Sequence, residues 1–230
     1  MKKQSYIGEL SAEFLGSMFL VMAVIAPAIM FTEVLEASAG VTLLANAIAV
    51  AFVLCAVIEI FGPVSGAHFN PVVTLVMLFE KKICALKAVL FMLFQFMGGI
   101  VGTIFSRLMF RGHVNYVIEI SESVRNEYMF FGEIFGTFIL VLAVLLLVKA
   151  GSNKIGIVVG FLVGGQILST SSTMFANPQV TVARMFTSTA AGIRPIDGLV
   201  FIGLQIGGAL LAYAVYRLVF SKNTPQVEEK

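Results

Sequence analysis

Two short motifs carry most of the polar chemistry in this chain: Asn70-Pro71-Val72-Val73-Thr74 and Asn177-Pro178-Gln179-Val180-Thr181. Asparagine is a strong helix N-cap and proline is favoured at the first helical position, so each Asn-Pro starts a helix sharply. The apolar pieces that follow, 70–80 and 177–187, are too short to cross ~30 Å of hydrocarbon. Before them lie Gly66-Ala67-His68-Phe69 and Thr173-Met174-Phe175-Ala176, which read as extended backbone. Irregular backbone persists at membrane depth only when it is buried or lines a wet cavity. Two half-helices entering from opposite faces would meet N-terminus to N-terminus, with partial positive charge at the centre. The amides of Asn70 and Asn177 would supply donors at the midplane of a pore. The carbonyls of Gly66, Ala67, His68, Thr173, Met174 and Phe175 would line it with acceptors. Such a path suits a neutral molecule that both donates and accepts hydrogen bonds, and it opposes cations, protons included.

Glu13 and Glu133 lie inside apolar stretches, where a carboxylate is costly without partners. They are expected to accept hydrogen bonds from the N–H groups of the two loops. Solvation near an interface is an alternative. So is a proton relay, for which no other ionisable residue sits at a matching depth. His68 and His113 are the only histidines, and Cys55 and Cys84 have no metal-ligand spacing. With no nucleophile-and-base set, neither an enzyme nor a metal or other cofactor is expected.

The elements that must hold these residues are read from composition. Of 230 residues, 59% are apolar and only 12% charged, about half the ~25% of a soluble domain. Mean hydropathy is +0.98. A soluble fold of this size could not bury so much apolar surface. A net charge of +2 is too small to suggest nucleic acid. Six apolar stretches of spanning or near-spanning length run over 10–31, 41–62, 84–108, 128–149, 154–170 and 196–220, the fifth being short. The expected fold is therefore an all-α membrane protein of six transmembrane helices and two re-entrant half-helices. With both termini cytoplasmic, every lysine lies inside. The outer side then holds Arg107, Arg111, Arg125, Arg184 and Arg194, as the positive-inside rule requires.

The chain repeats itself. Ala12-Glu13-Phe14-Leu15-Gly16-Ser17 matches Gly132-Glu133-Ile134-Phe135-Gly136-Thr137, the two Asn-Pro motifs match each other, and Gln95-Phe96-Met97-Gly98-Gly99 matches Gln205-Ile206-Gly207-Gly208. The order is the same in both halves, giving one channel domain over 1–230 built from repeats 1–120 and 121–230. Three spans per repeat force the second into the opposite orientation, which places a functional site at the midplane where the broken helices meet.

Taken together, these motifs resemble those of the major intrinsic protein family, the aquaporins and aquaglyceroporins, over essentially the whole chain. The resemblance implies a six-helix bundle with one pore per subunit, a homotetramer in membrane lipid, and passive conduction of small neutral solutes without a cofactor. The chain departs from the family pattern at the third motif positions, where Val72 and Gln179 replace alanine. It departs again at Val180, where most members carry the arginine of the outer constriction. Matched by spacing from the two asparagines, the other constriction positions are Val50, Gly165 and Met174. A ring without charge or aromatic bulk is wider and favours uncharged solutes larger than water. In this it is similar to arginine-less members of bacterial inner (plasma) membranes associated with glycerol-like solutes and neutral arsenic species. Asn177, Val180 and Arg184 share one helix face. Arg184, a turn beyond Val180, would either reach back to the constriction or pair at the outer mouth with lipid phosphate, a loop carboxylate or water. The competing function is a coupled secondary transporter of a small neutral solute, which requires a coupling-ion site that these motifs do not supply.

Overall fold

The computed structural model describes residues 6–221, and the charges of Lys2, Lys3, Lys222 and Lys230 lie outside the described residues. Regular structure among the described residues is helical. Six long elements are α1 (Tyr6–Ile29, continued by a π-turn at Met30–Val34), α2 (Ala39–Ser65), α4 (Ala85–Met109), α5 (Phe130–Lys149), α6 (Ile155–Ser169) and α8 (Pro195–Val215). Between them lie two short helices, α3 (Pro71–Phe79) and α7 (Pro178–Arg184). Five of the long elements are apolar and long enough to cross a membrane, whereas α6 has only 15 residues. At ~1.5 Å per residue α6 stops short of a full hydrocarbon crossing. Large apolar residues such as Phe52, Phe161, Leu199 and Leu211 stand exposed on the outside of the bundle. That is the surface expected of a protein whose solvent is lipid.

Helix association in such a solvent relies on close packing of small residues. Within the first half α1 packs on α4, and within the second α5 packs on α8; α2 packs on α6 between the halves. A Cβ on Gly102 would meet the Met18 carbonyl oxygen at 2.6 Å, and one on Gly208 would meet that of Ile134 at 2.5 Å. At the α2–α6 crossing a Cβ on Gly160 would meet the Ala51 carbonyl oxygen at 2.7 Å. In all three places the backbones approach too closely for any side chain.

The two short helices begin as the sequence predicts. Asn70 and Asn177 are N-caps with extended φ, each side-chain oxygen accepts from the N–H two residues on at 3.1 Å, and proline follows at once. The segments before them differ from the expectation of extended backbone. Ala67, Phe69, Thr173, Met174 and Ala176 all have positive φ, between 41° and 58°, and Gly66 has φ 90°. Left-handed residues, two of them consecutive in each loop, coil the chain tightly, at about 1–3 kcal/mol for each non-glycine residue. Tertiary hydrogen bonds hold this conformation, and no local sequence signal announces it.

The segment joining the halves, 110–126, is tied along the stretch that follows α7. Glu119 N–H donates to the Phe186 carbonyl at 3.2 Å, Ser121 N–H to Met185 at 2.9 Å, and Arg194 N–H to Ser123 at 2.8 Å. Arg107 anchors it: its buried guanidinium donates to the Tyr116 carbonyl at 2.6 Å, to Thr187 Oγ1 at 3.0 Å and to Glu119 at 2.8 Å. Hydrogen bonds from the Ser188 hydroxyl and then from Arg107 hold the Glu119 carboxyl below the usual carboxylate range.

A candidate pore between two half-helices

A cavity of about 930 Å³ is lined by residues of both half-helices and of the loops before them. One end is lined by Lys82, Lys87, Ser152 and Asn153; the other is lined by Arg125, Arg184, Ala190 and Ala191. Between these lysine and arginine ends, Asn70 and Asn177 both line it.

The asparagines are fixed by a reciprocal pair of bonds. Asn70 Nδ2 donates to the Ala176 carbonyl and Asn177 Nδ2 to the Phe69 carbonyl, each at 2.8 Å. Each amide thus secures the loop preceding the other half-helix. An amide nitrogen carries two donors, so one N–H of each remains for the cavity. Gln179 adds a second donor to the Phe69 carbonyl at 3.3 Å.

Behind the loops stand the two glutamates, both fully buried. Glu13 accepts from His68 N–H at 3.0 Å, Phe69 N–H at 2.8 Å, the Ser65 hydroxyl at 2.6 Å and Gln95 Nε2 at 2.7 Å. Glu133 accepts from Phe175 N–H at 3.3 Å, from Ala176 N–H, and from Gln205 Nε2 at 2.9 Å. The two glutamines also donate to the half-helices, Gln95 to Thr74 at 2.9 Å and Gln205 to Thr181 at 2.8 Å. The sequence repeat had placed Gln95 and Gln205 at equivalent positions without assigning them a task.

The remaining expected residues divide. Gly66, Ala67, His68, Thr173, Met174 and Phe175 all contribute to the cavity wall, as do Val50 and Val180. The His68 ring lies 3.1 Å from Thr74 Oγ1 and edge-on to Phe91. Gly165 is the exception and is corrected here: it is exposed on the outer face of α6, with open space where a Cβ would project. The lining residues of α6 are Ile155, Gly156, Val159, Val163 and Ile167, and all but Gly156 are spaced by four. At ~100° per residue Gly165 points about 200° away from either neighbour in that series. Spacing counted from the distant Asn177 does not fix the helix face, which is set by the close approach of Gly156, Gly160 and Gly164 to α2.

Arg184 lies on the cavity wall with Asn177 and Val180. Its guanidinium carbon sits 3.3 Å from the centre of the Phe175 ring, and its Nε donates to the Ala191 carbonyl. Sequence reasoning missed its neighbour Arg125, which lines the same end from the connecting segment. No motif surrounds Arg125; only the fold of the loop brings it to the cavity.

Comparison with known proteins agrees with this geometry. A family model described as Major intrinsic protein matches residues 1–175. The chain is 34% identical to aquaglyceroporin AqpS of Rhizobium meliloti (strain 1021), over 95% of this chain and 92% of that protein. It is 29% identical to a probable TIP-type aquaporin of Antirrhinum majus, over 91% and 86% of the two chains. In fold it resembles the crystallised aquaglyceroporin of Plasmodium falciparum, with a TM-score of 0.71 and 20% identity over 94% of this chain and 98% of that one.

Proposed function

The chain belongs to the major intrinsic protein family, and from that premise we propose that it is a facilitative pore for uncharged solutes of about glycerol's size, neutral arsenic species among them, with water passing as well. It is an integral membrane protein and a passive channel for small solutes. The observation that carries the finer reading is the reciprocal pairing of Asn70 with Ala176 and of Asn177 with Phe69 beside the cavity. It leaves each amide one free donor, flanked by loop residues, at the N-termini of two helices. A neutral molecule with hydroxyl groups can exchange its water hydrogen bonds for these, while helix dipoles oppose a cation.

The absence of arginine at Val180 supports the larger solutes. Val50, Val163, Met174 and Val180 put aliphatic side chains on the wall, and apolar walls suit a solute with some carbon surface. Likeness to an aquaglyceroporin supports the same class. The reading includes a homotetramer in a bacterial inner membrane, with both termini and the lysine end in the cytoplasm.

A stopped-flow panel of reconstituted protein tests it. Glycerol and neutral arsenous acid should equilibrate far faster than in empty liposomes, with no dependence on an imposed ion gradient. Rates equal to those of empty liposomes for all neutral solutes would overturn the reading, and flux abolished by an ionophore would favour coupled transport.

A further inference from the structure

Two guanidinium groups converge on one aromatic ring at the arginine end, and neither is paired with a carboxylate among the described residues. Arg184, only 6% exposed, lies over the Phe175 ring, and its sole acceptor among the described residues is the Ala191 carbonyl, bound through Nε. Its two terminal NH2 groups therefore remain unpartnered on the cavity wall. Arg125 approaches the same ring, its guanidinium carbon 5.4 Å from the ring centre. One NH2 group of Arg125 donates to the Gly192 carbonyl at 3.2 Å, while its Nε is buried with no partner.

The nearby carboxylates are engaged elsewhere. Glu133 takes the loop N–H groups of Phe175 and Ala176 and the amide of Gln205. Asp197 accepts the backbone N–H of Arg125 at 2.8 Å and the guanidinium of Arg194 at 2.9 Å. Two neighbouring cations with spare donors, set against a largely apolar wall, are costly unless an anion joins them. A guanidinium presents paired N–H groups that fit two oxygens on one centre, a match that a spherical anion lacks.

We propose that Arg125 and Arg184 form a binding site for a small, singly charged carboxylate or similar oxyanion, with the Phe175 ring as one wall, and that its occupancy obstructs the passage of neutral solutes. The obstruction rests on the pore reading above; the binding does not. The site joins the connecting segment to the second half-helix, so the loop between the repeats is part of the selectivity apparatus.

The test uses the full chain in proteoliposomes at neutral pH, with equal sodium formate or sodium chloride on both sides. Glycerol flux should fall saturably in formate relative to chloride. Arg125→Gln and Arg184→Gln should each raise the half-blocking formate concentration by about tenfold or more, the loss of one charge-assisted hydrogen bond. Arg125→Lys should do the same, since it keeps the charge and loses the fork. Calorimetric melting of the detergent-purified protein supplies a readout independent of flux. Formate should raise the wild-type melting temperature above its value in chloride, and at the same concentration should raise that of Arg125→Gln much less. Equal behaviour of the wild type in formate and chloride, by flux and by melting, would overturn the proposal. So would an undiminished formate effect in Arg125→Gln. A formate-dependent melting temperature without glycerol flux in chloride would instead overturn the pore reading and leave the binding site standing.

Discussion

Glu13 and Glu133 show how one residue type performs the same physical task twice. Each is a carboxylate at full burial, and each accepts two consecutive loop N–H groups and one glutamine amide. The loops have no secondary-structure ladder to satisfy those donors, so the carboxylates serve in its place. Removing one leaves buried donors without acceptors at about 1–3 kcal/mol each. Glu13→Ala and Glu133→Ala should therefore lower the melting temperature and glycerol flux together, at every pH. A variant with wild-type melting, whose flux had merely lost a proton-gradient dependence, would assign the glutamate to proton relay instead. Gln179 has a similarly specific setting. Its amide reaches the Phe69 carbonyl, and its Oε1 occupies space that any side chain at Gly99 would claim. The departure from alanine at this motif position is thus accommodated by a glycine on the neighbouring helix α4.

At the scale of elements, glycines fall into two kinds. Gly102 and Gly208 sit where a Cβ would strike the carbonyl oxygen of the partner helix, whereas Gly165 faces open space. Gly102→Val and Gly208→Val should destabilise by about 1–3 kcal/mol through forced separation of α1 from α4 and of α5 from α8. Gly165→Ala should change stability by no more than about 0.5 kcal/mol. The cavity face of α6 is tested in parallel. Val163→Phe should lower glycerol flux more than water flux by narrowing the wall, and Gly165→Phe should alter neither, because its ring projects outward. Selective loss of glycerol flux in Gly165→Phe would return the constriction to the position expected from sequence spacing.

At the scale of the whole molecule, charge divides between the two ends of the cavity, with Lys82 and Lys87 at one and Arg125 and Arg184 at the other. Lys87 pairs with Glu9 at 2.8 Å, and Arg217 pairs with Glu80 at 3.1 Å. The proposed orientation, with the lysine end in the cytoplasm, rests on the positive-inside rule, and a native cysteine offers a direct check. Cys84 is exposed at the start of α4, between Lys82 and Lys87 in sequence, while Cys55 is half-buried against α6. A membrane-impermeant maleimide added to intact cells should leave Cys84 unlabelled and should label it once the membrane is opened. Labelling of Cys84 in intact cells would reverse the topology.

The sequence by itself determined the class and the starts of the two half-helices. Hydrophobic length marks a membrane helix locally, Asn-Pro starts a helix locally, and two copies of each motif need no coordinates to be compared. It also pointed to the partners of Glu13 and Glu133, because a buried carboxylate must find donors and the adjacent loops have donors to spare. Only the tertiary structure decided which side of α6 faces the cavity, why Ala67, Phe69 and Met174 adopt positive φ, and how Arg125 comes to share the Phe175 ring with Arg184. The first is set by Gly156, Gly160 and Gly164 packing on α2, and the other two depend on loops held by distant hydrogen bonds. Spacing along the chain stops measuring distance in space wherever the backbone leaves a regular helix.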